Sequence, residues 1–433
     1  MRKSSIMSCS IGNILEWYDF GLFSIFSALF SQLFFPKSDP HSALLATFSV
    51  FAIGFFSRPL GALLFGYLGD KRGRSKTLRL SVLMISFPTL LIGCLPVYDT
   101  IGIWSPILLV VIRLWQGLSI GGEFSGNIIY LSESAPAHRR SFYASFAASG
   151  ANAGIFLAMV MGVLVSTFMD DATLKSWGWR IPYLISGILC LIIYATRLNL
   201  DETSIFNEMQ KNDTIAENPI IFVFKNNARD LLRTFGLVCM GSTFYYFISA
   251  YIPIVLNQTL HLSFARVAHL ESFLMITMIF LVPLAGFISD KTGRYKMLLF
   301  NAGLILLIII PSYYFLYQHN IVIVLLFLGV LTIASSLEQG TTPVVLVENF
   351  PVKARYTGIS FSYNIANGFL GGSVPFVCVW LVNKIHFFLM PAFYIAFYAL
   401  ITLLFALKLN INRIHKKEPT QQIKRSAELI AID

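Results

Sequence analysis

Five ionisable side chains fall inside strongly apolar stretches of the first half of the sequence: Glu16, Asp19, Arg58, Arg113 and Glu123. A charge in a hydrocarbon setting is expensive, so such residues tend to face a cavity and to pair with one another. A carboxylate held against an arginine loses that partner when a proton or an anionic ligand takes its place. The set therefore predicts proton movement coupled to the binding of a carboxylate. Ion pairs that only lock helices together are the structural alternative.

Helical spacing allows two pairs within this set. Glu16 and Asp19 are three residues apart and share a helix face. If a span begins near residue 11, Asp19 lies roughly 12 Å deep at about 1.5 Å per residue, and Arg113, in a span running the opposite way, lies near mid-depth. A contact between Asp19 and Arg113 is geometrically allowed. Arg58 and Glu123 both fall nearer the inner side and could pair with each other.

The elements that hold these residues must be membrane spans. Of 433 residues, 56% are hydrophobic and 12% are Asp, Glu, Lys or Arg, against about 25% charged residues in a soluble domain. This composition excludes a soluble globular protein, a coiled coil and a disulfide scaffold. A helix needs about 20 apolar residues to cross the hydrocarbon core, and the chain offers twelve such stretches. They run roughly over 11–35, 43–69, 78–96, 104–131, 142–169, 180–199, 231–256, 269–289, 297–317, 321–348, 357–383 and 388–409.

Basic residues give the orientation of these spans. If the chain starts in the cytoplasm, 25 of its 32 Lys and Arg residues lie in cytoplasmic loops, five lie in outer loops and two lie within spans. Positive charge accumulates on the cytoplasmic side of membrane proteins, so both termini are predicted to be cytoplasmic. The isoelectric point near 9.3 is then a topology signal, and we expect a lipid bilayer rather than a nucleic acid as partner.

One motif occurs twice. Residues 66–76 read GYLGDKRGRSK and residues 286–296 read GFISDKTGRYK, so the pattern GxxxDKxGRxK returns 220 residues later, in the turn after the second span of each half. We infer duplication of a six-span unit. The predicted domains are a first bundle over 1–199, a central cytoplasmic loop over 200–230, a second bundle over 231–410 and a cytoplasmic tail over 411–433.

On these motifs the chain resembles the major facilitator superfamily. The turn at 66–76 is similar to its best-known signature, and RLWQG at 113–117 is similar to its RxxQG signature. Within the superfamily, the chain resembles the metabolite:proton symporters, which include proline/betaine transporters and 2-oxoglutarate permeases. The segments that carry this second resemblance are GNILEWYDF at 12–20, RPLG at 58–61, YDTIG at 98–102, QGLSIGGE at 116–123 and WGWRIP at 177–182.

The resemblance implies two six-helix bundles around a central cavity in a bacterial inner membrane, with proton-coupled uptake by alternating access. It also implies that Asp70 contacts the opposite half in the outward-open state, partly through a helix N-terminus, where negative charge is favoured. Arg74 is expected to reach Glu133. The predicted cytoplasmic gate residues are Gly66, Asp70, Gly73, Arg74, Glu133, Asp290 and Arg294. The predicted coupling residues are Glu16, Asp19, Arg58, Arg113, Gln116 and Glu123.

Two substrate classes fit the polar residues of the spans. Arg58 and Arg113 suit a dicarboxylate such as 2-oxoglutarate, because guanidinium groups bind carboxylates through paired hydrogen bonds. A single arginine with aromatic residues suits a zwitterion, because ring faces attract a quaternary ammonium group. Glu338 is the one deep charge expected in the second half, with a structural or a substrate-binding role. The predicted substrate contacts are Trp17, Tyr18, Tyr245, Tyr246, Asn364 and Asn367.

Motifs for other chemistry are absent from the sequence. It contains no GxxxxGK[ST] phosphate-binding loop and no HExxH, and its five cysteines show no metal-ligand spacing. We therefore expect no enzyme activity, no metal and no cofactor, with the proton as coupling ion and a small carboxylate or zwitterion as substrate. The alternative is a passive facilitator of the same fold, whose acidic residues are structural. We expect a monomer.

Overall fold

The structure, a computed structural model, describes residues 3–36, 40–317 and 320–409. Within these ranges the secondary structure is helical and contains no β-strand, so the predicted all-α class is confirmed. Helices suit apolar segments in lipid because each satisfies its own backbone hydrogen bonds. The predicted tail over 411–433 lies outside the described residues.

The first half of the described chain is built from six long helices. They are α1 (Lys3–Ile25), α2 (Pro40–Arg72), α3 (Arg74–Cys94), α4 (Trp104–Ser134), α5 (Arg140–Phe168) and α6 (Arg180–Arg197). Short segments connect them: the helices Ser27–Phe34, Tyr98–Ile101 and Asp171–Thr173, the 3-10 turn Ala137–Arg139 and the π-helical turn Leu174–Gly178.

The second half repeats this arrangement. Its long helices in the described chain are α7 (Ala228–Tyr246), α8 (Phe264–Thr292), α9 (Arg294–Leu316), α10 (Ile321–Asn349), α11 (Arg355–Ile365) and α12 (Met390–Leu409). Two of them continue through π-helical turns: α7 through Phe247–Tyr251 into Ile252–Thr259, and α11 through Ala366–Gly371 into Gly372–Ile385. The connecting segments are Ser204–Lys211 and Pro219–Asn226 in the central loop and the 3-10 turn Val352–Ala354 before α11.

Ten helical stretches in the described ranges are long and apolar enough to cross a membrane, and they correspond to α3–α12 with their continuations. The remaining two predicted spans correspond to α1 and α2, which are 23 and 33 residues long but do not belong to that set of ten. Polar residues lower the hydropathy of α1, since it carries Asn13, Glu16 and Asp19.

The repeated motif forms the same turn in both halves. Gly73 joins α2 to α3 with a φ of +112°, and Gly293 joins α8 to α9 with a φ of +100°. Glycine adopts such positive φ values without the steric cost that a Cβ imposes. The backbone of both turns therefore favours glycine at positions 73 and 293.

The two halves meet along two matching helix pairs, α2 with α11 and α5 with α8. Within the first half, α2 also packs tightly on α4. A Cβ on Gly121 of α4 would lie 2.3 Å from the carbonyl oxygen of Arg58 on α2, so glycine is needed for this approach. The close packing fixes the positions of the buried charged residues that these two helices carry.

Candidate functional site

Asp19, Gln116 and Arg113 form a buried hydrogen-bonded chain between α1 and α4. Arg113 Nη1 donates to Gln116 Oε1 at 2.7 Å, and Gln116 Nε2 donates to Asp19 Oδ2 at 2.8 Å. Arg113 Nη1 lies 3.6 Å from Asp19 Oδ2, and Gln116 also donates to Thr89 Oγ1 of α3 at 3.1 Å. All three side chains are buried. The structure thus brings Asp19 and Arg113 together and places Gln116 as the bridge.

This chain retains unused hydrogen-bonding capacity. Within the part of the chain that the structure describes, Nε and Nη2 of Arg113 have no acceptor, and Oδ1 of Asp19 has no donor. The guanidinium carbon of Arg113 lies 3.5 Å from the centroid of the Phe23 ring, a contact that stabilises a cation in an apolar place. Arg113 is therefore held near Asp19 without being saturated by it, so either group can change partner.

Glu16 is buried without a partner one helical turn before Asp19. Its side chain is 1% exposed, and neither carboxylate oxygen accepts a hydrogen bond from a described residue. An ionised carboxylate without donors is costly away from water, whereas the neutral acid loses much less solvation. Glu16 is thus a second position in α1 at which a proton can be held.

Glu123 pairs with Arg197 of α6, and the pairing with Arg58 that the sequence suggests does not form. Arg197 donates from Nη2 to Oε1 at 2.6 Å and from Nη1 to Oε2 at 3.0 Å, in a buried forked pair. Asn127 donates to the same carboxylate at 3.0 Å, as does the hydroxyl of Ser81. Arg197 lies near the end of the predicted span 180–199, where it counts as a cytoplasmic charge, but it is the last residue of α6 and its side chain is buried.

Arg58 lies between aromatic rings instead. Its guanidinium carbon is 5.0 Å from the centroid of Phe20 and 4.2 Å from that of Phe55. The Phe55 ring also contacts Tyr246 of the second half, with 6.2 Å between centroids. Ring faces stabilise a guanidinium group in an apolar place. Arg58 therefore lies near the interface between the halves.

A cavity of about 60 Å³ lies between the two halves. Its walls come from α1, α4 and α5 on one side, and from α7, α10 and the α11 segment with its π-helical continuation on the other. Glu338 supplies a carboxylate to the wall, and no arginine, lysine or histidine of the described residues lines it. Likewise, no group of three His, Cys, Asp or Glu residues within the described ranges could hold a metal ion.

Three of the six predicted substrate contacts line this cavity: Trp17, Tyr245 and Asn367. The other three lie elsewhere: Tyr18, Tyr246 and Asn364. Asn364 instead donates to the carbonyl oxygen of Gly121 at 2.8 Å, across the interface between the halves. Its side chain serves as a contact between α11 and α4, which helical spacing alone does not reveal.

None of the six predicted coupling residues lines the cavity: Glu16, Asp19, Arg58, Arg113, Gln116 and Glu123. These charges therefore lie outside the wall of this cavity, and their role in coupling stays a prediction. Several have partners within the first half: Asp19 contacts Gln116 and Arg113, and Glu123 contacts Arg197. Trp17 does face the cavity and lies between Glu16 and Asp19 in the sequence, so α1 connects the buried carboxylates to the cavity wall.

Each GxxxDKxGRxK turn contacts the opposite half at a helix N-terminus. We call the end of the helices that carries residues 66–76 and 286–296 the turn face. Asp70 accepts hydrogen bonds from the backbone N–H groups of Tyr356 at 3.1 Å and Thr357 at 2.9 Å, in the first turn of α11. A Cβ on Gly66 would lie 2.5 Å from Cα of Thr357. Glycine at this position thus lets α2 touch α11.

The second turn makes the matching contact. Asp290 accepts hydrogen bonds from the backbone N–H groups of Ser141 at 3.0 Å and Phe142 at 2.9 Å, in the first turn of α5. A Cβ on Gly286 would lie 2.7 Å from the carbonyl oxygen of Ser141. The free N–H groups and the dipole at a helix N-terminus both favour a carboxylate. The halves are therefore held together at two equivalent points, and we call the contacts of Asp70 and Asp290 with these helix N-termini the clasp.

Two arginines near the first turn, Arg74 and Arg355, add further contacts between the halves. Arg74 Nε lies 3.4 Å from Glu133 Oε2, as the sequence suggests, and Arg74 Nη2 donates to the carbonyl oxygen of Val352 at 3.1 Å. Glu133 also accepts a hydrogen bond from Arg355 Nη1 at 2.8 Å. Since Val352 and Arg355 belong to the second half, Arg74 and Glu133 hold the two halves together.

The second turn again repeats the pattern. Arg294 Nη2 donates to Asp290 Oδ1 at 2.7 Å and to the carbonyl oxygen of Ala137 at 2.7 Å. Arg294 Nη1 donates to Glu348, whose Oε1 also lies 3.8 Å from Arg140 Nη1. Ala137 and Arg140 belong to the first half, so this cluster also bridges the halves.

Gly73 also makes room for the central loop. A Cβ there would lie 2.3 Å from Oε2 of Glu202. The Glu202 carboxylate accepts hydrogen bonds from the backbone N–H groups of Arg74 at 3.0 Å and Ser75 at 3.1 Å. Since Gly73 has no side chain to cap α3, Glu202 satisfies the first N–H groups of that helix.

The sequence reasoning missed Glu348 and Arg355. A second repeat could have identified them, because the pattern ExxPxxxR occurs over 133–140 and again over 348–355. The glutamate of each copy pairs with the arginine of the other copy, Glu133 with Arg355 and Glu348 with Arg140. This crossed pairing predicts contact between the halves once the duplication is recognised.

Comparison with known proteins gives a family. The sequence profile of the Major Facilitator Superfamily matches residues 10–375. The proline/betaine transporter of Escherichia coli K12 is 35% identical over 414 residues, which cover 93% of this chain and 82% of that transporter. The alpha-ketoglutarate permease of the same strain is 35% identical over 383 residues, or 88% and 87% of the two chains. The proton:xylose symporter XylE of E. coli, solved with bound 6-bromo-6-deoxy-D-glucose, shares the fold with a TM-score of 0.75 at 18% identity, covering 93% of this chain and 94% of XylE.

Proposed function

The chain belongs to the Major Facilitator Superfamily, and on that premise we propose that it is a proton-coupled symporter that imports a small carboxylate-bearing metabolite or compatible solute by alternating access. Its relatives are transporters and permeases rather than enzymes. The names of these two relatives define the substrate classes to test, which are proline or betaine on one hand and 2-oxoglutarate on the other. A passive facilitator of the same fold is the alternative.

In this proposal all twelve long helices cross a bacterial inner membrane. Ten of the helical stretches meet the length and hydropathy that a span requires, and α1 and α2 are long enough to cross. The turn face, with its two basic turns, then lies in the cytoplasm together with both termini. The protein works as a monomer, with lipid around it and a small molecule in its central cavity.

The observation that carries proton coupling is the Asp19–Gln116–Arg113 chain. With Asp19 ionised, Arg113 and Gln116 hold its carboxylate. A proton that binds Asp19 cancels the negative charge, and Arg113 is then free to take another acceptor. Loss of that proton on the other side of the membrane restores the pair. The cycle carries one proton through Asp19 and needs no cofactor.

Helix α1 links this proton site to the cavity. It carries Asp19 in the buried chain and Trp17 on the cavity wall, two residues apart. A change in what Asp19 binds therefore acts on the same helical turn that contacts the substrate. Glu16, on the other side of Trp17, is buried without a hydrogen-bond partner among the described residues and provides a second protonatable group in that turn.

The clasp on the turn face supplies the gate of this scheme. Asp70 and Asp290 hold the halves together there, so release of substrate on that side requires both contacts to break. Rigid-body rocking of one half against the other, around a central site, is the motion that transporter repeats use for alternating access. We assign the cytoplasmic gate to Gly66, Asp70, Gly73, Arg74, Glu133, Asp290 and Arg294, with Glu348 and Arg355.

Uptake into proteoliposomes tests this function. Radiolabelled glycine betaine, proline, 2-oxoglutarate and citrate are offered with and without an inwardly directed proton gradient. We expect accumulation of at least one of them under the gradient, abolished by a protonophore. Uptake that reaches only equilibrium and ignores the protonophore identifies a passive facilitator. Absence of uptake for all four solutes contradicts the proposed substrate classes.

A further inference from the structure

Glu338 places a carboxylate on the wall of the central cavity with no cation opposite it. The side chain is 8% exposed and lies against α7, where a Cβ on Gly241 would be 2.2 Å from its Oε1. No arginine, lysine or histidine in the described ranges lines the cavity, and Glu338 forms no ion pair with a described residue. A buried charge is normally paired, so this carboxylate lacks a positive partner.

Four hydrogen-bond donors of the same cavity lack an acceptor among the described residues: the indole Nε1–H of Trp17 and the hydroxyls of Ser242, Tyr245 and Thr342. Thr342 lies one turn after Glu338 on α10, which leaves the donors of Trp17, Ser242 and Tyr245 for another acceptor. Buried polar groups of folded proteins are nearly always hydrogen-bonded, so an orphaned group calls for an explanation. Three such donors around one cavity provide a place for a negatively charged acceptor.

Aromatic rings complete the wall. Trp17 and Tyr245 meet edge to face with 6.3 Å between their centroids, and Tyr363 stacks on Phe124 with 4.8 Å between theirs. Trp17, Tyr245, Tyr363 and Phe124 all line the cavity. The electron-rich faces of such rings attract alkylammonium groups, which adds to the effect of the nearby carboxylate of Glu338.

We propose that this cavity binds a zwitterion, with its ammonium group at Glu338 and its carboxylate at Trp17, Ser242 and Tyr245. This inference rests on the proposed transport function and chooses between its substrate classes. A dicarboxylate needs cationic partners, but Arg58 and Arg113 both lie outside the cavity wall. A second carboxylate would also meet Glu338, and like charges at close range repel. An amino-acid or betaine zwitterion complements both sets of unpartnered groups.

A pair of isosteric ligands tests this directly. Glycine betaine and 3,3-dimethylbutanoate have the same shape, but the second replaces the quaternary nitrogen by carbon and has no positive charge. Purified protein in lipid nanodiscs is titrated with each ligand in competition with radiolabelled betaine. Wild type should prefer betaine, and Glu338→Gln should weaken betaine binding by roughly 10- to 100-fold, as expected for a charged contact. Binding of 3,3-dimethylbutanoate should hardly change.

Two further variants serve as a second test and as a control. Gly241→Ala retains the carboxylate but pushes it from its place, so it should also weaken betaine binding. Glu271→Gln makes the same chemical change as Glu338→Gln on α8, at a residue that does not line the cavity, and should leave the preference for betaine intact. The fluorescence-detected elution profile of each variant shows whether it is folded.

Several outcomes overturn the inference. One is a Glu338→Gln protein that still prefers betaine as strongly as wild type does. Others are folded wild type that binds neither betaine nor proline, or that binds 2-oxoglutarate more tightly than both. These are equilibrium measurements without a membrane gradient, so a failure of proton coupling leaves them unchanged. The failure of this assignment and the failure of the proposed function are therefore distinguishable.

Discussion

Asp70 and Asp290 make the same pair of hydrogen bonds at equivalent points of the two halves. Asp70 of α2 accepts two backbone N–H groups from the start of α11, and Asp290 of α8 accepts two from the start of α5. Each aspartate belongs to one half, and each helix N-terminus belongs to the other. The duplicated motif therefore closes the turn face symmetrically, and neither contact can open without loss of two hydrogen bonds.

Asp70→Asn should shift the protein toward a form that is open at the turn face. The amide replaces one acceptor oxygen by a donor and removes the charge that the α11 N-terminus stabilises. Loss of a comparable helix cap costs about 0.5–2 kcal/mol, or roughly 2- to 30-fold in population. Spin labels at the exposed residues Arg72 and Lys353, in a Cys94→Ser background, report the distance between α2 and α11. An unchanged distance distribution contradicts the role of Asp70 as a gate.

Asp290→Asn should act in the same direction at the other contact. Labels at Arg139 and Lys291, both exposed, report the separation of α5 and α8. Because the two clasps close the same face, each variant should lengthen both distances. If Asp290→Asn lengthens only its own distance, the halves do not move as rigid bodies.

Gly66→Ala should impair closure of the turn face without removing any polar group. The added Cβ would lie 2.5 Å from Cα of Thr357, and backbone cannot yield there as a side chain would. Gly303→Ala is the matched control, since a Cβ at that helical glycine meets nothing within 4 Å. We expect uptake to fall severalfold in Gly66→Ala and to stay near the wild-type level in Gly303→Ala. Equal uptake by the two variants would show that α2 and α11 need not touch.

Arg113→Ala should abolish uptake while the protein still inserts into the membrane. Its removal leaves Asp19 and Gln116 without the cation that holds them. The measurement is uptake of the best substrate, normalised to the amount of protein in the membrane fraction. Normal uptake by this variant removes Arg113 from the mechanism.

Glu123→Gln should mainly reduce stability. The change leaves the buried guanidinium of Arg197 without its carboxylate, and breaking a buried pair in this way typically costs about 3–5 kcal/mol. A lower apparent melting temperature in detergent is therefore expected, with residual transport still driven by protons. If melting is unchanged and proton coupling is lost, Glu123 belongs to the coupling site instead.

Much of the fold follows from composition, charge distribution and the repeated turn. The chain's apolar runs predict helices, and the recurrence of Gly66 and Asp70 at Gly286 and Asp290 predicts two similar halves. Helix rise and direction allow the contact between Asp19 and Arg113 that the structure shows. These features depend on local periodicity, which a sequence displays directly.

Side-chain partners across helices were harder to predict. Depth in the membrane suggests Arg58 as a partner of Glu123, but depth does not specify the rotation of a helix about its axis, and the partner in the structure is Arg197. The cavity lining likewise depends on helix rotation, so Tyr245 faces the cavity while its neighbour Tyr246 does not. The role proposed for Glu338 depends on the groups around it, which only the folded chain brings together.

The most direct test of the account is the proton flux that accompanies substrate uptake. Proteoliposomes loaded with a pH-sensitive dye are given betaine, and the same measurement is made on the Asp19→Asn protein. Wild type should acidify the lumen as betaine enters, whereas Asp19→Asn should exchange labelled for unlabelled betaine across the membrane without any pH change. Acidification of equal size in the variant, or uptake by wild type without acidification, contradicts the claim that Asp19 carries the coupled proton.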